Sequence, residues 1–139
     1  MRRLLYVLIA GLLSAGWLFA SAQQLSAASA FQSRTNDSSG VRVLVTPRAL
    51  TAGATTWDFD VVLDTHTRPL DEDLVAATAL LDEKGQSTRP VSWQGDPPGG
   101  HHRKGILKFA APAGNPTTFE LQMKDVGGVN LRTFLWESK

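Results

Sequence analysis

The sequence predicts an all-β fold, an immunoglobulin-like antiparallel sandwich of about seven strands, and three observations support it. Apolar and polar residues alternate with a period of two along several segments, beginning at Val41. Clusters of glycine, proline and asparagine separate these segments at short intervals. The chain of 139 residues contains no cysteine, so a disulfide scaffold is excluded and one hydrophobic core must hold the domain together.

The first two predicted strands have the clearest alternation. Val41, Val43 and Val45 share one side of the first. The second has an apolar side and an acidic side, made of Trp57, Phe59, Val61 and Leu63 against Asp58, Asp60 and Asp64. The pattern returns over residues 107–109 and 119–124, and an apolar run over 131–136 closes the domain. These segments predict the sandwich core.

Residues 74–84 fit two interpretations. As a helix, the segment would place Leu74, Ala77 and Leu81 on one face after a carboxylate-rich start. As a strand, it would run over about 75–81, turn at 82–85 and return over 88–93. We favour the strand because its neighbours on both sides are strands and a lone helix would interrupt a regular meander.

The N-terminus has the features of an export signal. Arg2 and Arg3 precede an apolar run over residues 4–20, and Ala20-Ser21-Ala22 is a small-x-small cleavage site. We therefore predict a signal peptide over residues 1–22. An uncleaved membrane anchor helix stays open, because the run is near the lower limit of about 17–25 residues that cross a bilayer. Either way the domain is exported to the periplasm, the cell exterior or the outer side of the cytoplasmic membrane.

The mature chain divides into two predicted parts. Residues 23–40 are rich in Ser, Ala, Gln and Asn and indicate a flexible linker, and residues 41–139 form the sandwich domain. The whole chain has fourteen Lys and Arg against thirteen Asp and Glu, a net charge of +1. This balance excludes a chain built mainly to bind nucleic acid, which would have a strong basic excess.

The histidines are the candidate functional residues. Asp64 and His66 are two residues apart and share a face of an extended chain, and His101 and His102 follow a glycine pair. Asp73 lies in the loop after the first cluster and either completes the site or orients an imidazole. Imidazole and carboxylate are suitable ligands for zinc or copper(II) where no thiolate is present. The sequence therefore predicts a metal site of His66, His101, His102, Asp64 and Asp73.

Two other interpretations explain the same residues. A carboxylate–histidine–backbone network, with basic residues 101–104 against acidic residues 71–73, pins the loops without any ion. A calcium loop at 71–73 has the right oxygen groups but lacks the EF-hand spacing. Adjacent His101 and His102 reach one ion only if the glycine pair makes the backbone irregular, because neighbours in a regular strand point to opposite faces.

Several motifs together resemble a family of exported bacterial and archaeal β-sandwich domains to which no particular activity is attached. The resemblance covers the mature domain and is carried by Leu63-Asp64-Thr65-His66, Leu70-Asp71-Glu72-Asp73-Leu74, Pro90-Val91-Ser92-Trp93, Gly99-Gly100-His101-His102-Arg103 and Gly127-Gly128-Val129. In size, address and cysteine-free use of histidine the chain is also similar to CopC-like periplasmic copper proteins. The chain departs from those proteins in lacking an N-terminal histidine and a methionine-rich copper(I) segment, since Met1 and Met123 are its two methionines.

The predicted function is binding of a divalent transition metal, zinc or copper, through the histidine-bearing loops. Catalysis is not expected, because no G-x-S-x-G elbow is present and no nucleophile accompanies Asp64 and His66. The alternative is a cell-surface interaction or structural module without metal, with a cell-envelope protein as partner. No nucleic-acid partner is expected, and the membrane is contacted only through an uncleaved N-terminal segment.

Overall fold

Two antiparallel sheets enclose one core in the computed structural model, which describes residues 31–48 and 50–138. Nine strands and one short helix follow one another along this part of the chain: β1 Arg34–Ser38, β2 Val41–Pro47, β3 Thr56–Thr65, α1 Leu74–Ala77, β4 Thr78–Asp82, β5 Ser87–Thr88, β6 Pro90–Gly95, β7 His102–Ala110, β8 Thr118–Val126 and β9 Val129–Glu137. The all-β prediction with two packed antiparallel sheets is confirmed. The predicted N-terminal signal or anchor helix lies outside the described residues.

The first sheet has the strand order β1-β2-β3-β7-β6, and the second has the order β5-β4-β8-β9. Alternate residues of the long strands point inward, which is the period-two pattern of the sequence. The buried apolar residues of the two sheets form one cluster: Val41, Val43, Val45, Trp57, Phe59, Val61, Leu63, Leu70, Leu74, Leu80, Leu107, Phe109, Phe119, Leu121, Met123, Val126, Phe134 and Trp136. Burial of this cluster is the main stabilising contribution to the fold.

The ambiguous segment contains both a helix and a strand. Asp73 Oδ1 accepts hydrogen bonds from the backbone N–H groups of Val75 (3.0 Å) and Ala76 (3.1 Å), so α1 begins at a capped turn. The helix ends after one turn and the chain becomes extended at Thr78. The strand prediction over 75–81 is therefore wrong for its first three residues, where the aspartate cap favours helix, and right from Thr78 onward.

The predicted hairpin after β4 is only partly present. The turn at 82–85 is present, with Asp82 Oδ1 accepting from the N–H groups of Lys84 and Gln86. Only Ser87 and Thr88 return along β4. The rest of the predicted return strand crosses to the first sheet and pairs with β7, because Pro90 has no N–H to donate.

Strand β1 lies inside residues 23–40, the segment whose composition predicts a linker. It pairs with β2 over its full length, and Ser39 and Gly40 make the connecting turn with positive φ angles of 54° and 72°. The side chains of β1 are polar and mostly exposed, so the strand is held by hydrogen bonds and leaves no hydrophobic pattern. The first sheet thus begins at Arg34, within the segment predicted as a linker. Within the described residues, no helix has the length and apolar character needed to cross a membrane.

Candidate functional site

Two loops at one end of the sandwich carry the histidines, and hydrogen bonds join them. The Thr65 N–H donates to the His101 carbonyl (2.9 Å), and the Leu70 N–H donates to the Gly100 carbonyl (3.0 Å). The Gly99 N–H donates in turn to the Leu70 carbonyl (2.8 Å). Gly99 and Gly100 have φ angles of 113° and 69°, which glycine adopts without strain. The backbone before His102 is therefore irregular, as a shared site for His101 and His102 requires.

His102 and Asp64 form a direct pair. They are cross-strand partners on β7 and β3, and His102 Nδ1 lies 2.6 Å from Asp64 Oδ1. The ring of His66, just beyond the end of β3, has its centre 6.3 Å from that of His102, with the two ring planes at 83°. The His102 side chain is 70% exposed. Two imidazoles and one carboxylate thus meet at the surface where the two loops join.

The same pair belongs to a row of charged and hydrogen-bonding side chains across the outer face of the first sheet. The strand register places Asp37, Arg42, Asp64 and His102 side by side on four neighbouring strands. Arg42 Nε donates to Asp37 Oδ2 at 3.1 Å, which forms a second pair in the row. Cross-strand polar pairs stabilise a sheet modestly, so pairing within this row is a sufficient structural reason for the Asp64–His102 contact.

The structure brings together three of the five predicted ligands: His66, His102 and Asp64. His101 is exposed beside them. Asp73 serves as the cap of α1. Among residues 31–48 and 50–138, no group of three or more His, Cys, Asp or Glu side chains is arranged to hold a metal ion.

A buried arginine contacts the histidine loops from the core side. Arg103 is only 2% exposed, and its Nη1 donates to the carbonyl oxygens of Leu70 (3.1 Å) and Glu72 (2.8 Å). Its guanidinium carbon lies 5.5 Å from the centre of the Trp93 ring, a cation–π contact. Burial lowers the pKa of this guanidinium, while the attraction of Glu72 and Asp96 opposes the shift. The Arg103 side chain therefore holds loop 66–73 in place through hydrogen bonds to the backbone of that loop.

A second buried arginine closes the same end of the sandwich. Arg132, at 0% exposure, donates from Nε to the carbonyl of Val126 (3.0 Å) and from Nη1 to that of Val41 (3.1 Å). Its Nη1 also donates to Asn36 Oδ1 (2.5 Å), and its Nη2 to the Ser38 carbonyl (3.1 Å). Burial lowers its pKa too. Arg132 thereby joins β9 of the second sheet to β1 and β2 of the first.

Glu72 is the carboxylate that both arginines share electrostatically. Its charge attracts the guanidinium groups of Arg103 and Arg132, although it forms no direct ion pair with either. Glu72 Oε1 accepts from the Gly127 N–H at 2.7 Å, and its buried Oε2 has no hydrogen-bond partner within the described chain. Gly127 is required there, because its φ is 59° and an added Cβ would lie 2.8 Å from the Val41 side chain. We call Arg103, Arg132 and Glu72 the arginine end.

The sequence reasoning missed the arginine end, yet a signal for it exists. Arg103 is in phase with Leu107 and Phe109 on β7, and Arg132 is in phase with Phe134 and Trp136 on β9. An arginine on the apolar side of an alternating strand must be buried or must end the strand. The phase therefore marks both residues as interior cations.

The comparisons with protein-family models, with curated proteins and with solved structures give no match to this chain.

Proposed function

We propose that the protein is an exported binding domain that holds a divalent transition metal ion, zinc or copper(II), between His66 and His102. The observation that carries the proposal is the contact of 2.6 Å between His102 Nδ1 and Asp64 Oδ1. A carboxylate that accepts a hydrogen bond from one ring N–H fixes the neutral tautomer and leaves Nε2 as a free electron-pair donor. Asp64 is then the orienting group, and His102 is the ligand.

The spacing of the two rings supports coordination after a small movement. With zinc–nitrogen bonds of about 2.0–2.1 Å and a tetrahedral angle, two ligating imidazoles have ring centres about 5 Å apart. The centres of His66 and His102 are 6.3 Å apart. The difference is about 1 Å, which rotation of exposed side chains supplies. His101, exposed on the adjacent residue, is the candidate third ligand, and water fills the remaining positions.

The supporting scaffold favours a fixed pair rather than two independent histidines. Arg103 holds loop 66–73 from the core, and backbone hydrogen bonds join that loop to the segment before His102. A ligand pair on held elements loses less conformational entropy when an ion binds.

Titration of the purified protein with zinc and with copper(II), together with elemental analysis, tests the proposal. We expect one equivalent to bind with a dissociation constant below about 10 µM at pH 7.5, which corresponds to about 7 kcal/mol. His66→Ala and His102→Ala should each weaken binding at least tenfold. Arg89→Ala, a change at an exposed residue outside the site, is the matched control and should leave binding unchanged.

The Asp64→Asn variant separates the orienting role from ligation. The amide keeps the shape of the side chain and an oxygen that can accept a hydrogen bond, but it removes the negative charge that strengthens the bond from His102 Nδ1, so metal affinity should fall by about 10-fold to 100-fold. No binding tighter than about 10 µM by the unaltered protein would overturn the proposal. Equal affinity of the unaltered protein and the His66→Ala, His102→Ala double variant would also overturn it.

A second candidate function is a cell-surface interaction or structural module without metal, built on an immunoglobulin-like sandwich. The row of side chains from Asp37 to His102 favours it, because that row accounts for the Asp64–His102 pair as sheet pairing. Sandwich domains often act only as binding scaffolds. A partner complex that survives a chelator, from a chain that binds no metal, would identify this function.

A further inference from the structure

We propose that the outer face of the sheet β5-β4-β8-β9 pairs with the same face of a second copy of this chain to form a two-fold dimer. Leu131 and Leu135 on β9 are each 46% exposed, and only Val91 is a more exposed large apolar residue in the described chain. Both point away from the core, because Arg132 and Phe134 between them are buried. This face of the edge strand thus carries two half-exposed leucines that a partner could cover.

The neighbouring strand β8 carries opposite charges at the two ends of the same face. Glu120, Gln122 and Lys124 point outward, since Leu121 and Met123 between them are buried. Gln122 Nε2 donates to Glu120 Oε1 at 2.6 Å. Neither Glu120 nor Lys124 takes part in an ion pair within residues 31–48 and 50–138. Each charge is therefore available to a partner outside its own chain.

The strand register fixes how leucines and charges are arranged. Lys124 lies beside Leu131, Gln122 beside Thr133, and Glu120 beside Leu135. The face thus has a polar centre, one leucine with a cation toward one end, and one leucine with an anion toward the other.

This arrangement is self-complementary under a two-fold axis. The two-fold axis lies in the plane of the interface, perpendicular to the strands, and passes between the two copies at Gln122 and Thr133. Rotation about this axis places β8 of one copy opposite β8 of the other, with the two strands running in opposite directions. Glu120 of one copy then lies over Lys124 of the other. Leu131 lies over Leu135 in the same way. Closed two-fold contacts need such a self-complementary patch, and this one supplies two ion pairs and two leucine contacts per dimer.

The chain offers a direct test because it contains no cysteine. Thr133→Cys places one thiol per copy beside the proposed axis. Thr35→Cys places one on exposed strand β1 of the other sheet, as the control. A bismaleimide with a reach near the 10 Å spacing of packed sheets should join two copies of the full-length Thr133→Cys protein at least tenfold faster than two copies of the control.

Charge exchange in the Thr133→Cys protein tests the proposed orientation. Glu120→Lys alone and Lys124→Glu alone should each slow cross-linking at least fivefold, because each places like charges opposite one another. The variant that carries both Glu120→Lys and Lys124→Glu should cross-link at a rate within twofold of the Thr133→Cys protein. Melting temperatures within a few degrees of the parent show that the variants are folded. Equal rates for Thr133→Cys and Thr35→Cys, or a double exchange that does not restore the rate, would overturn the dimer.

Discussion

At one end of the sandwich the core is aromatic, and at the other it is ionic. At the aromatic end, Phe119 makes edge contacts with Phe31 and Trp57, both at 5.0 Å between ring centres, and stacks on Trp136 at 5.5 Å. At the arginine end, guanidinium groups donate to carbonyl oxygens of a loop and of strand ends. Contacts between aromatic rings tolerate small shifts of the rings, whereas a hydrogen bond fixes the distance and the angle between its donor and acceptor.

The difference explains where the chain can hold a precise site. Hydrogen bonds from buried arginine side chains hold the backbone of the loops at the arginine end, so the backbone that carries the histidines has a defined position. A cluster of rings fills volume and stabilises the fold, but it does not fix the backbone of a loop. We therefore expect the arginine end to lose more stability, and more site geometry, when one residue is changed.

The largest expected effect is at Arg132. Arg132→Met should lower the free energy of unfolding by about 3–5 kcal/mol, because buried carbonyl groups lose their donors. Arg132→Lys should recover only part of this loss, since an ammonium cannot reach all the same acceptors. Urea denaturation measures both. Arg89→Met, at an exposed position, is the control and should change stability by less than about 0.5 kcal/mol.

A smaller effect is expected at the aromatic end. Phe119→Leu should cost about 1–3 kcal/mol, because leucine keeps the position apolar while the neighbouring rings repack. The same urea series gives the value. If Phe119→Leu costs more than Arg132→Met, the proposed contrast between the two ends is wrong.

Glu72→Gln should cost about 1–2 kcal/mol. The amide oxygen keeps an acceptor for the Gly127 N–H, but the negative charge between the two buried guanidinium groups is lost. Glu83→Gln, an exposed change in the β4–β5 turn, is the matched control. Equal stability of the two variants would show that the arginines need no shared carboxylate.

The smallest effect on stability is expected at the histidine pair. Asp64→Asn should change the free energy of unfolding by no more than about 1 kcal/mol, since both partners are well exposed to water. A larger loss by urea denaturation would make Asp64 a part of the scaffold rather than an orienting group at a binding site.

Alternation along the chain was enough to predict β2, β3 and β8, because their inward and outward residues differ in polarity. It marked only residues 107–109 of β7, and β9 was predicted from an apolar run over 131–136. It did not predict β1, whose pairing is made by backbone groups, and it did not predict α1, whose start depends on one aspartate side chain. The contact between Asp64 and His102 required the register of β3 against β7. The sequence does not specify that register, since the chain between the two strands passes through the other sheet.

The point at which the chain enters the sandwich has a consequence for orientation at a cell surface. Phe31 packs on Phe119, and the Gln32 carbonyl accepts from Trp136 Nε1 at 2.7 Å, so the entry lies at the aromatic end. The ten residues of β3 lead from that end to Thr65 and His66, a distance of about 30 Å. On a chain held in the membrane by its first residues, the histidines would lie at the end of the domain farthest from that entry, where they are accessible to solutes.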